Sequence, residues 1–116
     1  MDSLIANGIA LSSNASNIHV KWGTRPGNTS AWNVSGYQDS SCVLVSIYLI
    51  NGLALTCIAL KDNQKYGTEL PEPHGSNNYY YGMSVVFKTS GTVSIDPSYN
   101  HSLGGDVSAY MIIGIS

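Results

Sequence analysis

The residues able to do chemistry in this chain are few and scattered. The histidines are His19, His74 and His101, and no two of them stand at a metal-ligand spacing such as H-x-H or H-x-x-x-H. His19 lies between Ile18 and Val20 in an alternating stretch, which points it outward as an ordinary surface side chain. The carboxylates are Asp2, Asp39, Asp62, Glu69, Glu72, Asp96 and Asp106. Glu69 and Glu72 alternate with Pro71 and Pro73; their spacing is compatible with a glycosidase pair, but a solvated Pro-rich loop is the simpler reading. Gly104-Gly105 has no Lys-Ser/Thr after it and reads as a turn rather than a phosphate cradle. No metal, cofactor or catalytic set is implied, and the chain reads as a binding or assembly module rather than an enzyme.

The remaining chemistry is aromatic and neutral-polar. Trp32, Asn33, Tyr37 and Asp39 share one Gly/Ser/Asn-rich stretch, Thr24 to Ser41. Tyr66 and His74 fall in a second, Lys61 to Asn78, and Tyr99 and His101 in a third, Pro97 to Asp106. Rings beside short amides and carboxylates suit glycans: rings stack on the apolar faces of sugars while the polar groups bind hydroxyls. These eight residues are the candidate receptor site. The plainer alternative is that such rings pack the core or the loops.

The elements that must position them are strands. Cys42 to Ile50 and Leu53 to Leu60 are apolar runs joined by Asn51-Gly52, a strong hairpin signal, because a type I′ turn needs positive φ at both central residues. A two-residue turn pairs Ile50 with Leu53, Tyr48 with Leu55, Ser46 with Cys57 and Leu44 with Ala59, leaving both faces largely apolar. That register puts the two thiols on one face about 13 Å apart, too far for a disulfide. Two buried free thiols are expected, as suits a reducing compartment. Further strands are expected at Leu4 to Leu11, Ile18 to Gly23, Tyr79 to Thr89, Thr92 to Asp96 after the Ser90-Gly91 turn, and Val107 to Ile115. No window carries a helical apolar period. The expected fold is all-β, an antiparallel β-sandwich occupying residues 1–116 as one domain.

Composition narrows the partners. Of 116 residues, 43% are hydrophobic but only 10% charged, where about a quarter is typical. The net charge is −2, and Lys21, Arg25, Lys61, Lys65 and Lys88 do not cluster, which argues against nucleic acid or an anionic membrane. No apolar run approaches the roughly 18 residues of a membrane helix, so no membrane insertion is expected. The start lacks the basic and apolar regions of a secretion signal. The Asn-x-Ser/Thr sites at Asn14, Asn28, Asn33 and Asn100 then follow from composition. Sparse charge also offers little defence against self-association, so a homo-oligomer is expected.

Both ends of the chain carry a resemblance. Ile18-His19-Val20-Lys21-Trp22-Gly23-Thr24 resembles the I-x-W-G strand that opens the C-terminal domain of many bacteriophage tail-fibre proteins. Tyr110-Met111-Ile112-Ile113-Gly114-Ile115-Ser116 resembles the aromatic-apolar-Ile-Gly ending of such fibres. The middle of the chain carries no such motif. The resemblance implies a lectin-like homotrimer at the fibre tip of a virion, made in the host cytoplasm and attaching to a bacterial surface glycan of lipopolysaccharide or capsule type. Residues 1–14 would then lie toward the shaft. The alternatives are a structural trimerisation cap or virion decoration domain without a ligand and, less favoured, a small polysaccharide hydrolase.

Overall fold

The Asn-Gly hairpin forms, one residue out of the expected register. In a computed structural model of the chain the described residues are 18–28, 30–50, 52–71, 80–97 and 107–116. Strands β3 (Cys42–Leu49) and β4 (Ala54–Leu60) pair Ile47 with Leu55, Val45 with Cys57 and Val43 with Ala59. Their connection holds three residues: Leu49 N–H donates to Leu53 O (2.8 Å), Gly52 N–H donates to Leu49 O (3.0 Å), and Gly52 has φ 92°. This matches the three-residue loop that closes on a left-handed glycine, which satisfies the same Asn-Gly signal as a two-residue turn. A slip of one residue moves a strand's side chains to the other face. Leu55, Cys57 and Ala59 therefore share the buried face with Val43, Val45 and Ile47, while Cys42 lies on the opposite face. The two cysteines are free, but they occupy opposite faces rather than one, and only Cys57 is buried, Cys42 being partly open.

The other elements are β1 (Ile18–Asn28), β2 (Trp32–Val34), β5 (Lys65–Pro71), β6 (Tyr80–Phe87), β7 (Val93–Asp96) and β8 (Val107–Ile115). Among the described residues every regular element is a strand. They form two antiparallel sheets, ordered β1-β8-β3-β4 and β2-β7-β6-β5. The all-β antiparallel expectation is thus met. The β6–β7 connection repeats the hairpin solution: Lys88 N–H donates to Thr92 O, Gly91 N–H to Lys88 O, and Gly91 has φ 95°. Two stretches expected to be loops contain short edge strands, β2 and β5. The expected strand at Leu4 to Leu11 lies outside the described residues.

The core lies between the sheets. The first contributes Val43, Val45, Ile47, Leu55, Ala59, Tyr110 and Ile112; the second contributes Tyr81, Met83, Val85, Phe87, Val93 and Ile95. Two tyrosine rings sit directly on glycines. A Cβ on Gly114 would lie 2.6 Å from Tyr37 Cδ1 and against Ser40 Oγ, and one on Gly23 would lie 2.6 Å from the Tyr110 ring. Because β1 pairs with β8, His19 stands opposite Gly114 and Gly23 opposite Tyr110. The two terminal motifs are therefore hydrogen-bonded neighbours, and their glycines are the seats of those rings.

Candidate functional site

The sheets differ on the sides turned away from the core. Strand periodicity places every second residue there. On the second sheet the outward row across Asn33, Ser94, Val86 and Lys65 is followed by Asp96, Ser84 and Gly67, then by Gly82 and Glu69. Ser94 Oγ donates to Asn33 Oδ1 at 2.7 Å, so this amide is held by its cross-strand neighbour. A shallow groove of about 450 Å³ runs over β5 and β6, lined by Lys65, Gly67, Thr68, Glu69, Met83 and Ser84. Lys65 and Glu69 stand four residues apart on one strand face, hence about 13 Å from each other. Gly67 lies between them and leaves the floor low, since a side chain there would press on Met83 O, 3.3 Å away. The groove offers an ammonium donor, a carboxylate acceptor and the Ser84 hydroxyl, a set suited to a neutral polyhydroxylated ligand.

The outward side of the first sheet is the chemical opposite. The cross-strand registers align Ile18, Ile115, Cys42 and Leu60 in one row; Val20, Ile113, Leu44 and Ile58 in the next; then Trp22, Met111, Ser46 and Thr56; then Thr24, Ala109, Tyr48 and Ala54. None of these residues is charged. Trp22 and Tyr48 lean on each other with ring centroids 5.4 Å apart. The polar pair in the third row is internally satisfied, Ser46 Oγ lying 3.0 Å from Thr56 Oγ1.

The expected site residues do not gather in one place. Asn33 reaches the polar face, and Asp39 is exposed in the turn after Tyr37. Tyr37 is a core residue, 1% exposed, with its hydroxyl directed at Ile112 O and the His19 ring stacked on it at 4.4 Å. Burial, with Tyr110 nearby, holds its hydroxyl pKa above the ordinary tyrosine value. Trp32 is half-buried against the core, with Arg25 4.2 Å above its ring and Tyr110 5.3 Å away. Trp32 Nε1 and Arg25 Nε have no hydrogen-bond partner among the described residues. Tyr66 also packs on the core and donates its hydroxyl to Asp62 Oδ2 at 2.7 Å, which raises its pKa. Trp32 and Tyr66 occupy opposite edges of the second sheet.

The ring-stacking surface expected from Trp32, Tyr37 and Tyr66 is therefore corrected: alternation turns Trp32 and Tyr66 inward, and Gly114 gives Tyr37 a seat inside. His74, Tyr99 and His101 lie outside the described residues. Sequence reading missed Lys65, Glu69 and Ser84 as neighbours. The alternation of Tyr66, Thr68 and Leu70 was the available signal, because it places Lys65, Gly67 and Glu69 together on the other face. His19 is exposed as expected, but it does not point outward as an ordinary surface side chain: its register opposite Gly114 puts it on the core side of β1, against the Tyr37 ring. No group of three or more His, Cys, Asp or Glu is placed to hold a metal among the described residues.

Compared with known proteins, the chain matches no family model, no curated protein and no solved structure.

Proposed function

We propose that this chain is the receptor-binding tip of a phage tail fibre, or of a related contractile particle, acting as a lectin-like β-sandwich homotrimer without catalytic activity. Its ligand in this reading is a bacterial surface glycan of lipopolysaccharide or capsule type, and its place is the virion. The observation that carries the reading is the contrast between the two outward sheet faces. The uncharged apolar face suits assembly, and the polar face with its Lys65–Glu69 groove suits hydroxyl-rich ligands. Neutral polar side chains and a low, glycine-floored groove let a sugar chain approach the backbone without a strong field selecting for charge. The adjacency of the two terminal motifs across β1 and β8 further supports reading them as one unit.

Binding to envelope glycans, measured on an array and by titration with purified lipopolysaccharide and capsule, tests this. Lys65→Ala should weaken binding about tenfold, since a charge-assisted hydrogen bond contributes on the order of 1.5 kcal/mol, and Ser84→Ala about fivefold, since a neutral one contributes about 1 kcal/mol. Mass and melting should stay unchanged. Retention of full affinity in both variants would remove the groove from the site. The inward turn of Trp32, Tyr37 and Tyr66 favours a second reading, a structural trimerisation cap or virion decoration domain. Absence of binding to any envelope glycan would give that reading precedence.

A further inference from the structure

We propose that the outward face of β1-β8-β3-β4 is the surface on which copies of this chain associate. The inference rests on the fibre-tip reading only for the number of copies, and not for its ligand.

Exposed large hydrophobic residues concentrate there. Ile18, Val20, Trp22, Ile58, Leu60 and Ile115 are each 42% to 60% exposed, and the cross-strand registers put all six on this one face. Trp22 alone leaves on the order of 100 Å² open, and the five aliphatic side chains extend it to an apolar patch of several hundred Å². The partly open Cys42, Leu44, Tyr48, Met111 and Ile113 enlarge it toward the roughly 800 Å² that one partner gives to a standard stable interface. Such a patch stands at the upper end of, or above, the roughly 300–600 Å² that is the largest on a typical monomer.

The chemistry selects a second copy as the occupant. No charged side chain lies in these four rows, so stacking the face on its own copy brings no like charges together. Its buried polar exception, Ser46, is already bonded to Thr56 and loses nothing when water leaves. Trp22 against Tyr48 supplies the kind of large aromatic anchor that dominates interfaces. The opposite side of the sheet is filled by the domain's own core, so the second sheet does not cover this face.

The molecule carries its own reporter. Cys42 lies on the face between Ile115 and Leu60, whereas Cys57 is in the core, where burial raises its thiol pKa and keeps it unreactive. The experiment is light scattering over a dilution series, with the reaction of Cys42 toward Ellman's reagent followed in the same samples. It is run on the wild type and on Val20→Glu and Ile58→Glu, whose exposed positions leave the core untouched. The expected result is an oligomer in which Cys42 is protected, and monomers of 12.4 kDa with a reactive Cys42 in both variants.

A trimer supports this inference together with the fibre-tip reading. A dimer supports the inference while removing the three-fold tip. A wild-type monomer overturns it: with reactive Cys42 the face is bare, and with protected Cys42 residues outside the described ones cover it. An oligomer that survives both variants overturns it too, since copies then meet elsewhere. Loss of glycan binding in any of these states bears on the groove alone.

Discussion

Replacing Gly114 by Ala should lower stability by about 1–2 kcal/mol. The new Cβ would lie 2.6 Å from Tyr37 Cδ1 and 2.9 Å from Cε1, and against Ser40 Oγ. Carbon atoms pack best at about 3.5–4.0 Å, so the ring must retreat by about 1 Å. Tyr37 is 1% exposed, and the His19 ring is stacked on it at 4.4 Å. Overpacking of this kind costs about 1–3 kcal/mol, offset by about 0.4–1 kcal/mol from restricting the unfolded chain. For a domain of this size a loss of 1–2 kcal/mol lowers the melting temperature by about 4–8 °C. Calorimetry or circular dichroism melting reads the shift, with Gly67→Ala as the control. Gly67 lies on the edge strand β5, where the nearest atom to a new Cβ is Met83 O at 3.3 Å, and the change should stay within about 0.5 kcal/mol. The same Gly114→Ala change made in a Tyr37→Ala background should lose at least half of its penalty, which measures the contact itself. A Gly114→Ala protein that melts at or above the wild type refutes the packing argument. A penalty unchanged by Tyr37→Ala assigns the strain to some other contact.

Two further outcomes follow from register and burial. Leu55→Ala should cost about 2–4 kcal/mol in urea denaturation, because Leu55 is buried opposite Ile47, whereas Ile58→Ala on the other face of β4 should change monomer stability by no more than about 0.5 kcal/mol. Equal effects would contradict the three-residue loop register. Stability should also fall above about pH 9: Cys57, Tyr37 and Tyr66 hold their protons more tightly folded than unfolded, so their contribution is full below the ordinary thiol and tyrosine pKa values and is lost as pH rises through the folded values. Urea midpoints measured between neutral and alkaline pH check this, and a midpoint that rises with pH there would reverse the sign.

Much of the secondary structure was legible because strand periodicity is written locally. The apolar β-branched runs located β3, β4 and β8, and Gly52 and Gly91 marked the connections through their positive φ. β5 was not read as a strand because Gly67 and Pro71 depress strand propensity, although the inward set Tyr66, Thr68 and Leu70 keeps the alternation. The candidate site was less legible than the fold. Asn33 lies on the outward polar face, whereas Trp32, Tyr37 and Tyr66, which the sequence offers as loop aromatics, pack on the core. A ring near polar neighbours has the same sequence appearance whether it faces solvent or, like Tyr37 on Gly114, rests on a glycine far along the chain.

By itself, then, the sequence determined that the chain is all-β, that Asn-Gly turns a hairpin, that both faces of that hairpin are apolar and that charge is scarce. Only the tertiary structure decided which apolar face is core and which is open. A glycine at positive φ closes a two-residue or a three-residue loop equally well, and the choice moves Leu55, Cys57 and Ala59 from one side of the sheet to the other. It is made by burial against Met83, Val85 and Phe87 of the second sheet, a relation between distant segments that no local pattern encodes.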